Sequence, residues 1–265
     1  MKTAFDDLLH GLRITGQEEL LPRFQGRITV EEKPDGSLVT SADHAVDACL
    51  RGLLGELFPG FAVLSEEQTR DAQQTVLSSD RPLWLLDPLD GTTNFAGGLP
   101  FFAISLALVD AYGVEFGATY DPVRDELFSV MRGAGLRLNG EDPPRRRHDH
   151  RELEQCIALV DCKRLPPDLA AALAVNPPYR SQRNLGASAL EWAWLAAGRA
   201  DLYLHGEQAL WDSAAGTLML AEAGGRMTDL DGGPVFRRSL DRPSAVAARS
   251  AELQERWLRW FDTRR

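Results

Sequence analysis

Five short apolar runs succeed one another in the middle of the chain, at 61–64, 83–86, 101–109, 114–120 and 126–131. Turn residues divide them. Asp110-Ala111-Tyr112-Gly113 and Asp121-Pro122 fit hairpin connections, Arg132-Gly133-Ala134-Gly135 leads into another short pair, and Asn139-Gly140 is a strong hairpin turn. Short apolar runs divided by turn residues read as strands. The last third changes pattern: strands are predicted at 156–161, 200–205, 226–230 and 244–248, and helices at 168–174, 187–197, 211–223 and 251–261. Gly198 and Gly224-Gly225 close two of those helices. Ahead of the strands, Phe5, Leu8, Leu9 and Leu12 recur at helical spacing over 4–14, and Pro22 kinks or restarts that pattern. Lys33-Pro34-Asp35-Gly36 is a turn signal, and Ser41 is a plausible N-cap for a helix running to Phe58. Serial strands followed by strand–helix alternation predict a layered α+β or α/β fold, one domain over 1–265 with approximate lobes 1–150 and 151–265.

The chain of 265 residues is long enough for a sizeable core. Its 39 acidic against 29 basic side chains give a net charge of −10, which argues against a general nucleic-acid binder. The one basic cluster, Arg145-Arg146-Arg147 within 141–151, is short, lacks interleaved aromatics and reads as an exposed loop. The longest apolar run, 99–109, contains Pro100 and Ser105 and falls short of the ~18 residues of a membrane span. The first residues lack the basic lead and apolar core of a secretory signal, and Cys49, Cys156 and Cys162 are an odd number without metal-site spacing. A reduced, cytoplasmic protein is therefore expected.

The chemistry concentrates in Trp84-Leu85-Leu86-Asp87-Pro88-Leu89-Asp90-Gly91-Thr92-Thr93-Asn94-Phe95. An apolar strand runs directly into two acids three residues apart. Pro88 stiffens the connection, so both carboxylates can face one point, and Gly91 lets a ligand approach the backbone. A helical turn beginning at the threonines would aim free N–H groups at an anion. Taken alone, the segment also fits an Asx-rich turn. Leu64-Ser65-Glu66-Glu67 and Leu210-Trp211-Asp212-Ser213-Ala214-Ala215-Gly216 add acids after a second strand and at a helix start. Glu66, Asp87, Asp90 and Asp212 together would make an all-oxygen site, which selects Mg²⁺ or Mn²⁺ over zinc. Two such ions can clamp the attacking and leaving oxygens of phosphoryl transfer.

On these residues the chain resembles the inositol monophosphatase family of magnesium-dependent, lithium-sensitive sugar phosphatases. Residues 87–95 match the family's first signature at every position, and Trp211-Asp212-Ser213-Ala214-Ala215-Gly216 matches the second. Glu66-Glu67 matches the upstream acid pair, although Ser65 stands where a glycine is usual. The resemblance implies a five-layered αβαβα sandwich with the metal site between two lobes, and commonly a homodimer. It implies two to three Mg²⁺ ions, with Mn²⁺ possible, held by Glu66, Asp87, the Leu89 carbonyl, Asp90 and Asp212. It also implies that Glu66 and Thr92 orient the attacking water, that Asp43 bonds the threonine or a weaker third ion, and that Gly91 and Thr92 donate N–H groups to the phosphate.

The substrate implied is a small phosphorylated alcohol, inositol 1-phosphate or a similar polyol or sugar phosphate, with no nucleic-acid or membrane partner. Gly186 and Ser188 match the loop and helix start that touch the sugar, beside Asp90 and Asp212. The ring-contacting Glu of inositol-specific members is replaced by His205, with Glu207 two residues on. His205 is then either a plain strand-end residue or part of a pocket for a different alcohol or an extra phosphate. Arg183 and Lys163 are possible anion contacts. Fructose 1,6-bisphosphate, histidinol phosphate and 3′-phosphoadenosine 5′-phosphate are the sister specificities. Thr93-Asn94-Phe95 favours the inositol branch over the nucleotidase one. A non-catalytic binding protein is the remaining alternative, disfavoured because every expected carboxylate is present.

Overall fold

Alternation along each strand decides which layer each residue joins. In the computed structural model, which describes residues 2–26, 30–32, 36, 38–79, 81–144 and 152–262, a six-stranded sheet is built in spatial order from Ala62–Ser65, Leu83–Asp90, Ala103–Asp110, Gly113–Asp121, Glu126–Met131 and Gly135–Leu138. The first pair is parallel and the rest form an antiparallel meander. Trp84, Leu86, Ile104, Leu106, Phe116 and Tyr120 face the helices Lys2–Thr15 and Ser41–Leu57, forming one buried cluster with Leu8, Leu12, Val46 and Leu50. Leu83, Leu85, Ala107, Phe128 and Val130 point the other way, against Leu190, Ala193, Ala214 and Leu218 of the helices Ser188–Ala196 and Leu210–Glu222.

Those two helices are covered on their far side by a five-stranded sheet. Its order is Ser181–Arg183, Ile157–Asp161, Leu202–His205, Ala245–Ala248 and Arg226–Thr228, parallel among the first three and antiparallel thereafter. Leu159, Tyr203, Ala245 and Ala247 meet Trp192, Leu195 and Leu220 of the central helices. The opposite face, with Ala158, Leu204 and Val246, is closed by Leu173 of Pro167–Val175 and by Leu253, Trp257 and Phe261 of Ala251–Asp262. The layers therefore run helix, sheet, helix, sheet, helix. The central layer is thin because its helices touch almost backbone to backbone. A Cβ on Gly216 would lie 2.2 Å from Trp192 Cβ, and one on Gly117 would lie 2.9 Å from Ala215 Cα.

Several local expectations shift. Thr40 caps the long helix, not Ser41: its backbone is extended (φ −124°), its hydroxyl accepts from Ala42 N, and its own N–H donates to Asp43 Oδ2. The first helix meets Pro22 through a π-helical stretch, Gly16–Leu20, and restarts as Leu21–Phe24 with the proline in its first turn. The second strand does not stop at Leu86 but continues to Asp90, with a register shift between Asp87 and Asp90 where Pro88 interrupts the ladder. Asn139 and Gly140 both take positive φ, as the hairpin turn requires. A helix at Arg70–Leu77 and the edge strand Ser181–Arg183 were not expected. Lys33-Pro34-Asp35 and Arg145-Arg146-Arg147 lie outside the described residues. None of the three cysteines is in a disulfide, and no helix among the described residues is long and apolar enough to cross a membrane.

Candidate active site

The irregular end of the strand Leu83–Asp90 is what lets two acids serve one place. In a regular strand, side chains three apart point to opposite faces. Here Asp87 pairs with Ser105 and Asp90 with Ala103, so the extra residue is absorbed between them. Asp87 accepts from Leu89 N at 3.1 Å. Asp90 reaches across the molecule and accepts from Ser188 N (2.9 Å) and Leu190 N (3.1 Å), at the start of a central helix. Asp212 accepts from Ala209 N in the first turn of its own helix. Glu66 follows the edge strand Ala62–Ser65, and its N–H donates to Leu86 O.

Burial and crowding dominate the electrostatics. Asp87 is held well above the usual carboxylate range, by burial first and then by the charges of Glu66, Asp90, Asp212 and Asp43. Asp90 and Asp212 are each pushed up to about 7, again by burial first. Asp43 is raised by burial against its bonds from Thr40. Among the described residues no lysine or arginine pairs with any of these four acids. So much concentrated negative charge, left without a cationic side chain, is unfavourable unless something positive joins it.

The donor chemistry fits a hard divalent cation: carboxylates and one backbone carbonyl, with no sulfur or imidazole. As the side chains stand, no three His, Cys, Asp or Glu groups among the described residues form a ready coordination shell. Asp90 commits both oxygens to backbone N–H groups, and Leu89 O accepts the Thr92 hydroxyl at 3.0 Å. The same hydroxyl lies 3.4 Å from Asp43 Oδ1.

Glu66, Gly91, Thr92, Gly186, Trp211 and Asp212 line one cavity of about 650 Å³. Gly91 sits at φ +91° and caps the turn Thr92–Ala96, whose first N–H groups have no intrahelical partner. A Cβ there would lie 3.0 Å from Ala187 Cβ and 3.1 Å from Phe101 O. Gly186, at φ +77°, is equally confined against Asn94, whose amide donates to Phe101 O and Leu185 O at 2.7 Å each. Lys163 also lines the cavity. Arg183 does not; its guanidinium bonds Ser181 Oγ and Gln182 O.

His205 and Ser188, expected to meet the sugar, have other partners. Buried His205 is 3.2 Å from Asp161 Oδ2 through Nε2 and accepts from Glu207 N through Nδ1, so both ring nitrogens are engaged within the protein. Asp161 is in turn lowered to about 2, chiefly by that bond from His205. Ser188 Oγ bonds Tyr203 OH and Gln208 Nε2, and Gln208 Oε1 accepts from Trp192 Nε1.

Sequence reading missed the residues that hold these loops. Buried Glu191, pushed up to about 7 by burial, accepts from Leu185 N and Gly186 N. Gln73 donates to the carbonyls of Ser65 and Glu66, and Ser65 Oγ accepts from Glu67 N. For Glu191 the only sequence signal is a polar residue within an otherwise buried helix; Gln73 has none.

Comparison with known proteins gives the family. The sequence model of the inositol monophosphatase family matches residues 3–263. An inositol-1-monophosphatase of Caulobacter vibrioides is 36% identical over 220 residues, covering 80% of this chain and 84% of that protein. A protein of Haemophilus influenzae named Nus factor SuhB is 32% identical over 240 residues, covering 88% and 86%. The crystal structure of the extragenic suppressor protein suhB from Bartonella henselae superposes with a TM-score of 0.81 at 29% identity, covering 97% of each chain. The chain belongs to the inositol monophosphatase family, a family of phosphomonoester hydrolases.

Proposed function

We propose that this chain is a Mg²⁺-dependent phosphomonoesterase acting on inositol 1-phosphate or a similar small polyol or sugar phosphate by attack of water. The observation that carries this reading is the convergence of Asp87, Asp90 and Asp212 with Glu66 beside one cavity, where among the described residues no lysine or arginine forms an ion pair with Asp87, Asp90 or Asp212. Magnesium held by Glu66, Asp87, the Leu89 carbonyl, Asp90 and Asp212, in two to three ions, would acidify water and neutralise charge on the phosphoryl and leaving oxygens. Mn²⁺ suits the same donors.

The chain's own groups do the rest. The N–H groups of Gly91 and Thr92 receive phosphoryl oxygens at the start of the Thr92–Ala96 turn. Thr92 Oγ accepts a hydrogen bond from the attacking water while its own proton is directed to Leu89 O or Asp43 Oδ1. Glu66 orients the same water from the opposite strand. The water oxygen bonds to phosphorus, the ester P–O bond breaks, and the alcohol oxygen leaves and takes up a proton. The products are the free alcohol and inorganic phosphate, with no covalent enzyme intermediate. Gly186, backed by Glu191, shapes the wall against which the alcohol rests.

Phosphate release should be measured with Mg²⁺ across inositol 1-phosphate, fructose 1,6-bisphosphate, histidinol phosphate, 3′-phosphoadenosine 5′-phosphate and a generic aryl phosphate. Inositol or sugar esters should exceed the aryl ester in kcat/KM, and lithium should inhibit. An aryl ester hydrolysed equally well would sink the polyol specificity.

A further inference from the structure

Four exposed cations, Arg70, Lys163, Arg164 and Arg242, line the same cavity as Glu66 and Asp212. None forms an ion pair among the described residues; Arg164 exerts only a longer-range attraction on Asp161. Other arginines of this acidic chain do meet carboxylates, as in Arg124–Asp121, Arg199–Glu126, Arg237–Asp229 and Arg249–Asp201. Left unpaired around one mouth, the four cations attract anions into it.

Two of the four are held on a fastened turn. Asp161 Oδ1 accepts from Lys163 N at 2.8 Å while its Oδ2 meets His205 Nε2. Leu165 N donates to Cys162 O, and the Leu165 side chain is buried in the outer core. Gly206 allows the closest approach: a Cβ there would lie 2.0 Å from Arg164 O, so only glycine lets this turn lie against the end of the strand Leu202–His205. The His205–Asp161 pair therefore positions a cationic turn. A pre-ordered turn loses less conformational entropy on gripping a ligand than a mobile one.

A single phosphate at Gly91 and Thr92 does not need these groups, since its charge is met by backbone N–H groups and by the cations that the carboxylates would hold. We propose that Lys163 and Arg164, with Arg242 beside them, form a second anion site, and that the preferred substrate is a small phosphorylated alcohol bearing a second phosphate. This rests on the phosphomonoesterase reading and narrows its substrate class.

Fructose 1,6-bisphosphate and fructose 1-phosphate share the C1 ester and differ in the C6 phosphate, which also holds the bisphosphate in its furanose ring; release from C1 is followed by the fructose 6-phosphate or fructose formed. The native chain with Mg²⁺ should show a kcat/KM at least about tenfold higher for the bisphosphate, equivalent to ~1.4 kcal/mol. The double variant Lys163→Ala/Arg164→Ala should lose that advantage through KM, leaving kcat and the monophosphate rate within about twofold, because both side chains are exposed and neither forms an ion pair with the site's carboxylates. Calorimetry in EDTA, where no ester is turned over, should rank the two esters in the same way on the native chain and equalise them on the variant. Equal kcat/KM for the two esters on the native chain, or a double variant that slows both alike, would overturn the second anion site while leaving the phosphatase reading intact. No phosphate release from either ester or from inositol 1-phosphate would instead defeat the phosphatase reading. A bisphosphate preference in EDTA that the variant loses would then still support the anion site.

Discussion

Asp212→Asn replaces a charged oxygen by a neutral amide of nearly the same shape, and its effect on stability can be worked from the site. Asp212 is raised from 3.8 to about 7, by burial and by the charges of Asp90 and Glu66. A carboxyl raised in the folded state binds its proton more tightly there than in the unfolded chain. Its contribution is thus fully favourable below about pH 4 and is lost as the pH climbs through about 7. The shift of roughly three units corresponds to a ceiling of ~4 kcal/mol at pH 8. Asp212 is partly exposed to the cavity and Asp90 shares the strain, so about 2 kcal/mol is the figure to expect. Removing the charge should therefore raise the melting temperature in EDTA at pH 8 by roughly 4–8 °C for a chain of this size. At pH 5, between the unfolded and folded values, the difference should fall to less than half, and it should approach zero only below about pH 4. Mg²⁺ should stabilise the native chain at pH 8 by binding the folded state, and should do so much less for the variant. Scanning calorimetry at both pH values, with EDTA and with Mg²⁺, reads all four conditions. An Asp212→Asn protein that melts lower than the native chain in EDTA at pH 8, yet keeps the full Mg²⁺ response, would refute the reasoning.

Gly91→Ala places a Cβ at φ +91°, against Ala187 and Phe101 O; urea titration should show a loss of about 1–3 kcal/mol, with a fall in kcat. Gly216→Ala drives a Cβ into Trp192 between the central helices and should cost a similar ~1–3 kcal/mol. Gly55→Ala meets nothing within 4 Å on the exposed side of its helix and should instead stabilise by up to about 1 kcal/mol; equal effects at the two positions would contradict the packing described. Gln73→Ala frees the backbone that carries Glu66. Apparent Mg²⁺ affinity, read from the metal dependence of phosphate release, should weaken by about 10–100-fold while the circular dichroism stays native.

What was legible in the sequence was whatever depends on neighbours. The strand leading into Asp87 and Asp90, the Asn139-Gly140 hairpin and the glycine-stopped helices are local matters of period and turn chemistry, and they are present. The stacking order of the layers was not legible from periodicity, because apolar residues such as Leu190 and Leu195 show that a helix is buried without naming the sheet on each side. It came through the resemblance carried by the two signatures. The cap moved from Ser41 to Thr40 because the deciding contact, Thr40 N to Asp43, depends on where extended backbone ends, and composition does not mark that residue. The helix Arg70–Leu77 was missed because its buried residues are Gln73 and Leu77, a pattern with little apolar period. Glu191, Gln208 and Tyr203 were not legible because only the fold brings their partners close. His205 stood out as an unusual residue at its position. Its bond to Asp161, and hence to the turn bearing Lys163 and Arg164, spans 44 residues and needed the parallel pairing of two strands.

The central claim is that Asp87, the most deeply buried of the converging acids, holds the cation on which phosphate release depends. Phosphate release from inositol 1-phosphate should be measured against Mg²⁺ concentration for the native chain and for Asp87→Asn. The native chain should require Mg²⁺ for release. The variant should remain folded and lose activity by about a hundred- to a thousandfold at every Mg²⁺ concentration, the scale expected when a group acting on transition-state charge is removed. Native-level release by Asp87→Asn, or release by the native chain that EDTA leaves unchanged, would contradict the account.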